Sequence, residues 1–411
     1  QLKFDQGNLS HLFPQLLNSN AVTVLDKLGF LDASGTVLVS RTAIDADMNV
    51  RTRLGSLSPN MSYSADQHTL VGGVQFSSFN LGALLDLDGL GLTSGQADLV
   101  LSDLDSKYIS VQVEGDLKEL TFRDYTYRNT SFNGELASNA FEGQFRFRDD
   151  HLNANFDGSI TGLSSQKQFN FAAHILEADL KAIKLAKSEK ESIFSGHMMV
   201  QAEGTNVDDA LGIASFYDIN YRNQDGSYSF ENFDVTTSMD GEERTLKVNS
   251  PEIITGQITG QFKLSELKKL AHNSLTHIYN LGDEYEVSPN QSLDFDFVVY
   301  NKIAKIMSTY LNIGNNGKLS GHLESDSQEF NANVLAPFFS TRDVVIEGMT
   351  LELDNKNPVY NTFVEIGSLK TSFFEAHDFN LINVTRKDTL LIKTNFKGPI
   401  NSTDRYDLNL Y

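Results

Sequence analysis

The sequence predicts a mostly β chain, a long antiparallel repeat of amphipathic strands with one or two short helices. Two observations carry this. Apolar and polar residues alternate with a period of two over much of the 411 residues, the pattern of a strand with one buried and one wet face. One strand also returns almost verbatim. Leu152-Asn153-Ala154-Asn155-Phe156-Asp157-Gly158-Ser159-Ile160 reads apolar-x-small-Asn-Phe-x-Gly-x-Ile, and Ile392-Lys393-Thr394-Asn395-Phe396-Lys397-Gly398-Pro399-Ile400 reads the same way. Weaker echoes lie at Leu246-Lys247-Val248-Asn249 and Phe330-Asn331-Ala332-Asn333. Their spacing is unequal, which excludes a strict solenoid and fits a looser array with insertions. Gly158 and Gly398 are expected at bends, and Pro399 at an exposed edge. A repeated amphipathic strand builds a long surface or groove, not a single pocket.

In chain order, Leu9 to Leu31 has a mixed pattern interrupted by Pro14. Ile109, Val111 and Val113 begin the clear alternation. Phe141, Gly143, Phe145 and Phe147 share one face, and Glu142, Gln144, Arg146 and Arg148 the other. Asp149-Asp150 is expected to turn the chain, as Asp208-Asp209 is further on. Leu152, Ala154, Phe156, Gly158 and Ile160 then repeat the pattern, followed by Phe169, Phe171, Ala173 and Ile175. Leu293-Phe295-Phe297-Val299 and Leu319-Gly321-Leu323 behave alike. Ser265 is placed to cap a helix from Glu266 to about Asn280, with Leu267, Leu270, Ala271 and Ile278 on one stripe. Asn301 to Leu311 carries Ile303, Ile306, Met307 and Tyr310 at helical spacing. Lys181, Lys184, Lys187 and Lys190 recur every three residues and read as a solvated face. These patterns divide the chain into segments 1–75, 76–200, 201–290 and 291–411. A strand every ~10–14 residues gives roughly 30 strands, and single stacking at ~4.8 Å extends on the order of 140 Å.

Composition excludes several functions. There are 33 basic and 54 acidic residues, a net charge of -21. Nucleic-acid phosphates require clustered Lys and Arg, and so does docking on anionic lipid through a basic patch. The acidity is expected to keep a long β protein soluble. The absence of cysteine excludes disulfides, thiolate catalysis and cysteine metal sites, and is compatible with an oxidising compartment. The start at Gln1 reads as that of an excerpt, with any membrane anchor outside these residues. No stretch approaches the ~18 apolar residues of a spanning helix.

No catalytic motif is present. Gly89, Gly91 and Gly95 have the wrong spacing for a dinucleotide loop and read as a turn. Asp86-Leu87-Asp88-Gly89 lacks the closing Glu of a calcium loop. His272 and His277 are five residues apart, which does not put two ligands on one helix face. Sequons at Asn60 and Asn129 matter only where the cell glycosylates them. No catalytic residue, metal or cofactor is therefore expected. What remains is the apolar face, drawn from 28 Phe and 14 Tyr. It is either an ordinary sandwich or barrel core, or the face of an open sheet that holds acyl chains. Periodicity alone does not separate the two.

The stretch from Phe79 to Asp209 resembles the TamB branch of the AsmA-like proteins, in its Bacteroidota form. The residues that carry the likeness are Phe79-Asn80-Leu81-Gly82-Ala83-Leu84-Leu85, Gly95-Gln96-Ala97-Asp98-Leu99, Tyr125-Thr126-Tyr127-Arg128-Asn129 and Phe132-Asn133-Gly134. After them come Phe141-x-Gly143, Asp149-Asp150-x-Leu152-x-Ala154-x-Phe156-x-Gly158, Ala178-Asp179-Leu180 and Asp208-Asp209-Ala210-Leu211-Gly212. The resemblance implies an internal segment of a taco-shaped β-groove in the periplasm, part of an inner-membrane-anchored protein bridging the two membranes. It implies phospholipid acyl chains as cargo, and outer-membrane protein assembly beside a TamA-type barrel. The expected lining residues are Phe145, Phe147, Leu152, Ala154, Phe156, Ile160, Phe169, Phe171, Ile175, Phe295 and Phe297. Two other readings stand beside it. A scaffold that guides outer-membrane proteins would act by strand addition at an open edge. An extracellular adhesin or carbohydrate-binding repeat would carry its aromatics on the exposed face.

Overall fold

The computed structural model describes residues 2–4, 26–103, 109–137, 139–163, 166–186, 191–224, 226–279, 282–307, 310–386, 389–399 and 403–410. The fold is mostly β, with 68% strand and 8% helix. It separates into two compact units, residues 1–201 with 219–224, and residues 202–218 with 225–411.

The first stretch of chain forms β1 (Leu2–Phe4), β2 (Leu31–Val39), β3 (Ala43–Thr52), β4 (Gly55–Ser64), β5 (Thr69–Asn80), α1 (Leu81–Leu85), β6 (Leu90–Ser102) and β7 (Ser110–Phe122). Then come β8 (Tyr125–Ala137), β9 (Ala140–Asp149), β10 (Leu152–Thr161), β11 (Lys167–Asp179) and β12 (Ser192–Gly204). β13 (Leu211–Asn223), β14 (Gly226–Asp240), β15 (Glu243–Ser250) and β16 (Ile254–Gln261) lead to a 3-10 turn (Leu264–Glu266) and α2 (Leu267–Tyr279). β17 (Ser292–Val299), α3 (Asn301–Met307), β18 (Gly317–Glu324), β19 (Phe330–Ser340) and β20 (Val344–Asp354) follow. β21 (Thr362–Thr371), β22 (Glu375–Arg386), β23 (Thr389–Lys397) and β24 (Arg405–Leu410) complete the order.

Within the first unit, β1 to β11 pair antiparallel, each with the next in sequence. Within the second, β14 to β24 do the same. This is a meander joined mostly by short turns, with α2 between β16 and β17 and α3 between β17 and β18, in which register is set by which side chains face the core. The four copies of the returning strand are β10, β15, β19 and β23. The described residues hold 24 strands, fewer than the roughly 30 the turn spacing implies. Many strands are longer than that spacing allows, with 15 residues in β14.

The Asp pairs turn the chain as expected. Asp149 Oδ1 accepts the His151 N–H at 2.9 Å, and Asp209 Oδ1 accepts the N–H groups of Thr205 and Asn206 at 2.8 Å. Asp86 ends α1 in a left-handed conformation, and its carboxylate pairs with Lys27 Nζ at 2.5 Å. Residues 86–89 are thus a helix stop and a turn. α1 itself was not expected. It forms where Asn80 Oδ1 accepts the Ala83 N–H at 3.0 Å.

Two expected helices are present with different ends. α2 starts after a 3-10 turn, and Ser265 does not cap it: its N–H and hydroxyl both donate to Asp208, at 2.8 and 2.7 Å. Its buried stripe runs through Leu270, Ser274 and Ile278, while Ala271 is exposed. Ser274 is tolerated there because its hydroxyl donates to the Leu270 carbonyl at 2.9 Å. α3 ends at Met307. Residues 308–309, the segment 5–25, Lys187 and Lys190 lie outside the described residues. Lys181 and Lys184 are exposed on a turn.

At four positions inside strands the backbone turns left-handed, which periodicity does not reveal. Ser78, Asn129, Asp218 and Asp378 sit inside strands with φ of 46°, 50°, 53° and 47°. Such left-handed residues re-aim the next side chain, and beside Ser78 and Asp378 the ladder register shifts as well, as in a bulge. Phe79, Thr130 and Ile219, each one residue on, are all buried.

Candidate functional site

The lining of the first unit is built by cross-strand register. Phe145 on β9 faces Phe132 on β8 and Phe156 on β10, and Phe156 faces Ala173 on β11. One rung along, Gly134, Gly143, Gly158 and Phe171 form the next row. Leu136, Phe141, Ile160 and Phe169 form the third. Nine of the eleven expected residues lie in this unit; eight of these fall in such rows, whereas Leu152 faces Asp149 on β9 and Ala178 on β11. The rings touch in sequence. Phe132 stacks on Phe145 at 6.0 Å between centroids, Phe147 meets Phe156 edge-on at 5.6 Å, and Tyr127 meets Phe147 at 5.4 Å. Such pairs hold aromatic rows together beyond their area burial.

Burial divides these residues. Phe145, Phe147, Phe156, Ile160, Phe169, Phe171 and Ile175 are half-buried, whereas Leu152 and Ala154 are sealed. The seal is a cluster of Tyr127, Leu152, Ala154, Ala178 and Ile183, with Leu180 packed against it. Residues 180–186 fold back to form it. The Ile183 N–H donates to the Asp179 carbonyl at 3.0 Å, and the Leu185 N–H to the Leu180 carbonyl at 2.8 Å. Beside the cluster, the Tyr125 hydroxyl donates to Asp149 Oδ1 at 2.5 Å. Burial first, and then the Asp149 carboxylate, push that phenol far up.

Gly158 makes room for an aromatic ring. A Cβ there would lie 2.3 Å from Phe171 Cδ1 and 2.5 Å from the Asn170 carbonyl oxygen. It sits in the middle of β10, not at a bend. Gly398 does mark a turn, its N–H donating to the Asp404 carbonyl at 3.0 Å between β23 and β24.

In the second unit Leu293, Phe295 and Phe297 on β17 face Leu323, Gly321 and Leu319 on β18. Phe295 and Phe297 are half-buried and Leu293 is buried. Here α2 lies on the apolar face. Leu270 and Ile278 share a cluster with Phe262, Leu293, Leu323, Phe330 and Ala332, and Leu246, Ile258, Phe295 and Leu353 pack against it. The entry to α2 is tied by carboxylates. Glu266 accepts the Ser288 N–H at 2.7 Å and Gln291 Nε2 at 2.8 Å. The Ser288 N–H bond, with help from Gln291 and Lys263, holds the Glu266 carboxyl below its ordinary range despite partial burial. Burial raises the Asp208 carboxyl, but the Ser265 bonds, Lys263 and Arg244 outweigh it and leave the group lowered.

The opposite, polar face of β6 to β11 holds an open trough of about 720 Å³, bordered by Asp98, Glu114, Glu135, Glu142 and Asp157. Five carboxylates make it unsuited to acyl chains.

Sequence reasoning missed Tyr127, Phe132, Ile183 and α2 itself as parts of the lining. Phe132 was legible from its alternation with Gly134. Tyr127 was masked by the left-handed backbone at Asn129, and Ile183 by its place in a lysine-rich turn. No protein-family model, curated protein or solved structure matches the chain. Among the described residues, no helix is long and apolar enough to cross a membrane.

Proposed function

We propose that the chain is a segment of a periplasmic, TamB-like lipid-conducting protein, whose apolar rows hold phospholipid acyl chains between inner and outer membranes. The observation that carries this reading is the half-buried state of the aromatic row Phe132–Phe145–Phe156 and of the stacked rings Phe169 and Phe171 on β11. A core would seal such rings, as it seals Leu152 and Ala154. Each methylene moved from water onto this face gains ~0.8 kcal/mol. Neighbouring rungs are ~4.8 Å apart and chemically alike, so a chain sliding from one to the next meets little change in energy. Passage is passive and needs no catalytic group. A TamA-type barrel is the partner this reading implies, and any membrane anchor belongs to other parts of the protein.

Replacing Phe145 and Phe156 together with Asp places two carboxylates on facing rungs. Phospholipid transfer between donor and acceptor vesicles is expected to fall about tenfold or more, with the far-ultraviolet circular dichroism unchanged. Undiminished transfer by that folded variant would refute the reading.

A further inference from the structure

We infer that α2 is a built-in plug, an intramolecular stand-in for acyl chains on the lining of β17 to β22. This inference rests on the proposal that acyl chains bind the apolar rows, and it adds where they are excluded. At its start, Ser265 is tied to Asp208, and Gln291, the residue before β17, accepts the Lys263 N–H at 2.8 Å and donates to Glu266 at 2.8 Å. At its finish, the Tyr279 hydroxyl meets Thr362 Oγ1 on β21 at 2.6 Å, and Thr385 Oγ1 on β22 donates to the Ile278 carbonyl at 3.2 Å. A helix of 13 residues is about 20 Å long at ~1.5 Å per residue. Four strand spacings of ~4.8 Å, from β17 to β21, cover about 19 Å. The helix therefore runs across the strands, along the direction a sliding chain would take.

Its attachment is of two kinds. Between its ends the sheet side of the helix is held by apolar contact, through Leu267, Leu270 and Leu275, the same non-directional contact an acyl chain makes. The directional bonds are confined to the ends and to a strap over the outer side. In that strap Asn273 exchanges hydrogen bonds with the Tyr285 backbone at 2.8 and 2.9 Å, and His272 packs on the Tyr285 ring at 4.8 Å between centroids. An apolar seat with polar pins at its ends is a geometry that releases as a unit. In the first unit the corresponding rings of β9 to β11 carry no helix among the described residues. Labelled lipid should thus discriminate between the two sets of strands.

The test uses the full chain and vesicles of phosphatidylcholine with a diazirine in one acyl chain, irradiated and mapped by peptide mass spectrometry. In the wild type, label is expected on β8 to β11 and at least about tenfold less on β17 to β19. Two variants release the plug. One is Tyr279→Phe with Thr385→Ala, and the other replaces residues 267–279 with a Gly/Ser linker of equal length. Both are expected to raise label on β17 to β19 several-fold, with hydrogen exchange showing β18 and β19 still paired. The linker variant lacks the helix outright, and if it loses the β18–β19 pairing the pin variant decides. Equal labelling of both sets in the wild type overturns the inference, and so does the absence of any gain in the variants. If β8 to β11 also stay unlabelled, the acyl-binding proposal fails and the plug fails with it.

Discussion

Replacing Leu270 with alanine is expected to destabilise the second unit by about 2–5 kcal/mol. Leu270 is only 2% exposed and sits at the centre of the cluster that joins α2 to β17, β18 and β19. Alanine removes the transfer free energy of the lost carbons and leaves a cavity that the paired strands beneath do not collapse to fill. The exposed neighbour Lys269 supplies the contrast. Lys269→Ala touches no part of the seat and should stay within about 0.5 kcal/mol. Native-state hydrogen exchange at β18 and β19 reads the effect locally. A loss below about 1 kcal/mol for Leu270→Ala would mean that α2 rests on the sheet without being seated in it.

Gly158→Ala is expected to destabilise the first unit by about 2 kcal/mol, the reverse of what this change does at an unstrained site. Of the two close approaches, the Phe171 ring could rotate, but the Asn170 carbonyl at 2.5 Å belongs to the ladder between β10 and β11. Either the ladder opens or Phe171 leaves its row. Gly317 in β18 is the control. A Cβ there meets nothing nearer than 3.6 Å, so Gly317→Ala should be neutral or stabilising. Urea unfolding followed by tyrosine fluorescence near Tyr125 and Tyr127 measures the first change. An unchanged midpoint for Gly158→Ala would show that the Phe171 ring does not occupy the glycine row.

The strands and faces were legible because a two-residue period is a local property of sequence. Phe145, Phe147, Phe156, Ile160, Phe169 and Phe171 share the face their alternation assigns. Local pattern also found α2 and α3, but not where α2 packs, because its seat is made of residues from Phe262 to Leu353. The left-handed strand residues escaped for a different reason. Ser78, Asn129, Asp218 and Asp378 are ordinary turn formers, and nothing in a single residue announces a left-handed φ inside a strand. The sealing of Leu152 and Ala154 escaped because Ile183 reaches them from a turn outside the alternating pattern. Periodicity thus located the apolar rows and left open which parts of them are covered.

Native mass spectrometry of the full chain, purified without detergent from a bacterium with two membranes, tests the lipid-binding claim most directly. The account predicts masses shifted by one or more phospholipids, lost in the Phe145→Asp and Phe156→Asp double variant. A clean mass without lipid for the wild type, with the strands folded, would contradict it.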